Sequence, residues 1–96
     1  MNLIISTPEK EVLNQGSISF INLTLSDGYP ISVYPGHAPL IALLSEGIIK
    51  YQDGKGLNKI SISEGLIKID NDLVKCFVNW AITIEKENLK ERSVRI

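Results

Sequence analysis

Ninety-six residues with eleven acidic and ten basic side chains, net charge −1, make one domain without the basic field that nucleic acid requires. Hydrophobic residues at 44% and charged residues at 22% exclude a disordered chain, and a domain near this size buries roughly two-thirds of its unfolded surface. Aromatic residues at 6% offer few base-stacking platforms, and a single cysteine cannot close an intrachain disulfide.

The start, Met1-Asn2-Leu3-Ile4-Ile5, lacks a positive region and turns polar quickly, so it does not read as a signal peptide. Between residues 17 and 25 the apolar phase slips at Phe20-Ile21, which predicts a bulge or a strand covered on both faces. Asp27-Gly28 predicts a turn, and Ile31-Ser32-Val33-Tyr34 a short strand. Pro30 cannot donate to a sheet ladder, which places it at an edge or outside the pairing.

Pro35-Gly36-His37-Ala38-Pro39-Leu40 is the most informative segment. Pro35-Gly36 suits a type II turn, with proline fixing φ and glycine taking φ > 0. Pro39 biases Ala38 toward extended geometry, so the backbone around the single histidine is stiff, as a docking loop requires. Leu40, Ile41, Leu43 and Leu44 fit a helical stripe and a buried strand equally well. This is also the longest apolar run, and it is far too short to span a bilayer.

Ile48, Ile49 and Tyr51 open a strand that leads to the tip Asp53-Gly54-Lys55-Gly56. Ile60-Ser61-Ile62-Ser63 and Ile67-Lys68-Ile69-Asp70 both alternate and read as a hairpin about Glu64-Gly65. Val74, Cys76 and Val78 share one face of a further strand, and Trp80 at its exit reads as a core plug. Turn signals recur at intervals of roughly ten residues, the spacing of an all-β sandwich or barrel. Residues 85–92 are almost wholly polar, with Leu89 the sole apolar anchor, and predict a frayed tail or a short exposed helix.

Catalytic chemistry finds little support. Cys76 sits on an apolar strand face, where cysteine packs as a small hydrophobe rather than pairing with His37 as a nucleophile. His37 and Asp27 lack further metal ligands at suitable spacing, and the glycines form no phosphate loop. No cofactor or metal is expected. Tyr29 and Tyr34 flank the proline loop and fit either exposed interface anchors or rim packing.

The ordered pieces Leu3 to Leu13, Ile21-Asn22-Leu23, Asp27-Gly28 and Val33-Tyr34-Pro35-Gly36-His37-Ala38-Pro39-Leu40 resemble the amino-terminal domain of the epsilon subunit of F-type ATP synthases. Leu44 to Ile49, Ile60 to Leu66-Ile67 and Asn71 to Ala81 resemble its later strands, in family order. The resemblance implies a flattened ten-stranded antiparallel β-sandwich of two five-stranded sheets over residues 1–81, with Leu40–Leu44 as strand and 82–96 as a short charged tail. It implies a non-catalytic rotor subunit that links the gamma subunit to the membrane c-ring, peripheral at the cytoplasmic face of a bacterial inner membrane. By position, Thr7, His37 and Ala42 match family sites toward gamma or the ring, and Tyr34-Pro35-Gly36-His37 matches the ring-facing loop. Tyr29 and Pro30 join them as candidate interface residues.

Two departures stand out. The stretch Tyr29 to Pro35 lacks the family's usual Gly-Glu pair, so the expected ring contact is apolar rather than ionic. The family's two-helix carboxy-terminal hairpin is also missing from this sequence, so neither ATP binding nor helix-mediated inhibition is expected of it. A free-standing β-sandwich interaction module is the alternative reading.

Overall fold

Alternation of apolar and polar residues builds ten strands in a computed structural model that describes residues 1–84. They are β1 (Asn2–Ser6), β2 (Glu11–Gln15), β3 (Phe20–Thr24), β4 (Pro30–Val33), β5 (Leu40–Leu44), β6 (Gly47–Asp53), β7 (Gly56–Ile62), β8 (Gly65–Asp70), β9 (Leu73–Val78) and β10 (Ala81–Ile84). Sheet A has the order β2-β1-β9-β8-β5, and sheet B the order β10-β7-β6-β3-β4. The charged stretch expected as a tail, residues 85–96, lies outside the described residues.

The core is what one inward face of each sheet supplies. Leu3, Ile5, Ile67, Ile69, Val74, Cys76 and Val78 come from sheet A, and Ile21, Leu23, Val33, Ile49, Tyr51, Ile60 and Ile62 from sheet B. Burying each aliphatic side chain of this size contributes about 1.5–3 kcal/mol. The two-residue step of a strand then sends the intervening residues outward.

Several expectations hold. Leu40–Leu44 is strand, pairing with β8 from Leu40↔Ile69 to Leu44↔Gly65. β6 and β7 form the hairpin closed at Gly54-Lys55. β4, opened by Pro30, is the edge of sheet B.

Others are corrected. The bulge or two-sided cover expected at Phe20-Ile21 is not found: β3 alternates without a register shift, and the slip arises because Ile18 reaches the core from ahead of β3, its N–H bonding the Met1 carbonyl at 2.9 Å. Sheet A is mixed rather than antiparallel, because β1 and β9 run parallel from Asn2↔Leu73 to Ser6↔Phe77. The route from β1 to β9 passes through both sheets, and only such a long crossover permits parallel neighbours. Residues 60–63 and 67–70 do not form a hairpin: β7 belongs to sheet B and β8 to sheet A, so the chain changes sheets at Ser63-Glu64. The strand expected within residues 71–81 is β9, and β10 follows it back in sheet B. Trp80 is no core plug; it is 40% exposed.

Ser63 joins these two crossings. Its hydroxyl accepts from the N–H of Asn79 at 2.8 Å and of Trp80 at 3.3 Å, and donates to the Glu64 carbonyl at 2.9 Å. It is the buried polar residue of the described core, and it is fully partnered. Gly65, one step on, starts β8 so close to β9 that a Cβ would collide with the Phe77 carbonyl and meet Val78 at 2.9 Å.

Candidate interaction site

The proline loop forms the turn its residues dictate. The His37 N–H bonds the Tyr34 carbonyl at 3.1 Å, and Gly36 takes φ +85°, the third position of a type II turn. A carbonyl only accepts, so the 2.6 Å contact from His37 Nδ1 to the Ala38 carbonyl assigns the ring proton to Nδ1. Tyr34 is 57% exposed, and its ring rests at 6.3 Å and 46° from that of Phe20.

A residue that sequence reasoning missed holds this loop to sheet A. Asn71 and Asp72 both take positive φ, 50° and 60°, in the two-residue turn between β8 and β9. That geometry is the type I′ hairpin turn, which asparagine and aspartate tolerate best. It aims the Asp72 carboxylate at the Gly36 N–H, 2.6 Å away, while the Asp72 carbonyl accepts from Asn2 N–H at 2.9 Å. The sequence signal was the Asn-Asp pair; its target 36 residues earlier was not legible.

Tyr29 and Pro30 lie at the opposite end of β4 from Tyr34, roughly 15 Å along the strand. Tyr29 is 66% exposed, and the Tyr29 N–H bonds Asp27 Oδ1 at 3.2 Å. Its hairpin loop joins the far end of β5, where the Ser26 N–H bonds the Leu43 carbonyl at 2.9 Å. Thr7 is at that same end, in the β1–β2 turn, where its hydroxyl and the Lys10 backbone exchange bonds of 3.2 and 3.3 Å. An open cleft there is lined by Thr7, Ser26, Leu43, Gly65, Leu66 and Phe77. Ala42 sits midway on β5, half-buried. Seven of the eight candidate residues therefore divide between two ends of the sandwich, with Ala42 between them, rather than forming one patch.

Catalytic groups do not assemble. Cys76 is buried in sheet A, and burial pushes its thiol up to about 12, far from a reactive thiolate. Burial also raises the Tyr51 hydroxyl, with Asp53 adding to it. Among the described residues, no three histidine, cysteine or acidic side chains come close enough to hold a metal, and no helix is long and apolar enough to cross a membrane.

A family model for the ATP synthase, Delta/Epsilon chain, beta-sandwich domain matches residues 1–84. The chain belongs to the ATP synthase delta/epsilon family.

Curated relatives agree. The ATP synthase epsilon chain of Solibacter usitatus (strain Ellin6076) is 29% identical over 90 residues, 94% of this chain and 66% of the relative. That of Staphylococcus aureus is 31% identical over 83 residues, 86% of this chain and 61% of the relative. The chain thus spans about two-thirds of the length of the curated epsilon chains it matches. Its fold is similar to a chain in the mitochondrial ATP synthase of Euglena gracilis (OSCP/F1/c-ring, rotational state 1), with TM-score 0.77 and 19% identity over 97% of this chain and 59% of the other. A chain of the central stalk/c-ring of the Tetrahymena thermophila enzyme aligns with TM-score 0.69 and 16% identity, covering 85% of this chain and 65% of the other.

Proposed function

We propose that the chain is a non-catalytic central-stalk subunit of an F-type ATP synthase, linking the gamma subunit to the c-ring. The observation that carries this is the family match across every described strand, residues 1–84. The similarity to epsilon chains supports the same reading, as does a similar fold in a central stalk/c-ring structure.

The physical demand on such a part is rigidity between two mating surfaces. A sandwich of two hydrogen-bonded five-stranded sheets supplies the rigidity. At one end the Tyr34–His37 turn, fixed by its own backbone bond and by Asp72, presents an exposed aromatic ring and a half-exposed imidazole toward the c-ring. Ion flow then passes torque through this chain without any bond being made or broken in it. The subunit is peripheral to the membrane, at the cytoplasmic face of a bacterial inner membrane.

The test is ion pumping by membranes rebuilt with the full chain, alongside thermal melting of the isolated chain. Tyr34→Ala should impair pumping or ring association and leave the melting temperature nearly unchanged, and His37→Ala should do the same to a smaller degree. Normal pumping by Tyr34→Ala would remove this loop from the interface. A chain that fails to join the complex would refute the function as a whole.

A further inference from the structure

The outer face of sheet A mixes exposed apolar side chains with two like charges placed directly opposite one another. One cross-strand row runs Ser6, Phe77, Leu66, Leu43, and the next runs Ile4, Lys75, Lys68, Ile41. Phe77 is 44% exposed, Leu43 61% and Ile41 68%. Lys68 and Lys75 are register partners across β8 and β9. Like charges in that position oppose strand pairing. Neither ammonium has an ion pair or hydrogen bond among the described residues. The nearest acids by register are Asp70, two residues along β8, and Glu11, opposite Ser6 on β2.

We propose that this face docks an amphipathic segment of a partner protein, one whose apolar stripe carries a carboxylate seated between Lys68 and Lys75. The Phe77-Leu66-Leu43 row covers one side of the charges, while the row on the other side is the more polar Asn2-Leu73-Asp70, and a charge-assisted bond gains strength where water is partly excluded. Two unpaired cations that weaken the free sheet become complementary once an acid is placed over them, and charge complementarity of this kind fixes register and suppresses wrong partners.

Other occupants fit less well. A second copy, packed face to face about a two-fold axis, would bring four lysines together. Anionic lipid recognition uses clusters of about four to eight basic residues, and this face has two. Residues 85–96 set Lys86, Lys90, Arg92 and Arg95 against Glu85, Glu87 and Glu91, a net positive complement for an already positive face. The proposal rests on the function above only in its choice of partner, a neighbouring subunit of the synthase.

The experiment titrates the full chain into the organism's ATP synthase stripped of this subunit, comparing it with a Lys68→Gln/Lys75→Gln chain and a Lys68→Arg/Lys75→Arg chain. Removing the like-charge pair should leave the melting temperature of the free chain equal or higher while weakening association roughly tenfold. The arginine chain should bind as the unsubstituted chain does, and added salt should weaken the unsubstituted chain more than the glutamine chain. A purely structural role would move stability and association in the same direction. Binding of the glutamine chain within about twofold of the original overturns the proposal. Binding to phosphatidylserine vesicles that the substitutions abolish, or dimers of the original chain that they dissolve, would assign the face to lipid or to a second copy and overturn it equally. If the unsubstituted chain fails to bind the stripped enzyme, the stalk function fails, and the choice of partner with it.

Discussion

The two sheets are alike inside and unlike outside. Both turn an apolar surface inward, aliphatic but for Cys76 in sheet A and Tyr51 in sheet B, and Ile67 and Ile60 are both almost inaccessible. Outward, the middle of sheet B is polar, with Lys59, Lys50, Asn22 and Ser32 in one cross-strand row and Ser32 Oγ donating to Asn22 Oδ1 at 2.8 Å. The exposed aliphatics of sheet B, Ile48 and Ile82, sit apart on either side of Ser61, whereas sheet A shows Ile41, Leu43, Leu66 and Phe77, three of them in one row. The fold constrains only the inner faces, so the outer faces are free to differ without cost to the core.

Four substitutions or conditions probe that contrast. The largest effect is expected at Gly65, where the sheets exchange chain. Gly65→Ala places a Cβ against the Phe77 carbonyl, which is backbone and cannot swing aside. It should cost about 3 kcal/mol or more in chemical denaturation; a loss below 1 kcal/mol would show that the crossing has slack. Next, Ile67→Ala and Ile60→Ala should each cost about 2–5 kcal/mol and match one another closely. A difference beyond about 1.5 kcal/mol would break the claim that the two inner faces are equivalent.

The third probe is alkaline pH. Because burial raises the Cys76 thiol in the folded chain from 9.0 to about 12, the unfolded chain releases this proton first. The contribution of Cys76 is fully present below the unfolded value and is lost as pH rises toward the folded one, at about 1.4 kcal/mol per unit. The raised Tyr51 hydroxyl acts in the same sense at still higher pH. Cys76→Ala should flatten the stability profile between pH 9 and 10, read from urea midpoints; an unchanged slope would place the thiol in contact with solvent. The smallest effect is at the loop end. Asp72→Ala removes the acceptor of the Gly36 N–H and should cost about 1 kcal/mol, since that bond is exposed. Hydrogen exchange at Gly36 should quicken, and Asp72→Asn, which keeps one acceptor oxygen, should largely restore protection.

Local chemistry was legible in the sequence, and partners distant along the chain were not. Pro35-Gly36 fixed its turn, Pro30 its edge, and Asp53-Gly54-Lys55-Gly56 its hairpin tip, because each depends on residues within four positions. Leu40–Leu44 was ambiguous by periodicity, and only the family resemblance decided it. Its burial does alternate through Ile41 and Leu43, but both outward residues are apolar, which hid the strand period. Glu64-Gly65 looks like a hairpin turn because a turn signal does not state which sheet the next strand joins. Trp80 misled for a related reason: a large aromatic ring at a strand exit is buried only if the following crossing covers it. Of the candidate site, Tyr29 and Tyr34 fitted exposed anchors and rim packing alike by sequence, and the structure exposes both. The site's division between two ends was not foreseeable, because four residues of strand carry Tyr29 and Tyr34 apart.

The parallel contact of β1 with β9 has a bearing on how the chain acquires its shape. During synthesis β1 finds its central neighbour only when residues 73–77 have also emerged. The hairpins β6–β7 and β8–β9 close over a few residues and can form within microseconds. The β1–β9 seam must instead wait for all the intervening strands and pay its loop-closure entropy late. Until then β1 and β2 form a two-stranded ribbon with an open edge, and an isolated ribbon of that kind is marginal in water. β1 is thus made long before its central partner, and by loop-closure entropy the seating of β1 against β9 should be slower than the closing of the hairpins, with the interval before it the time of greatest exposure to aggregation.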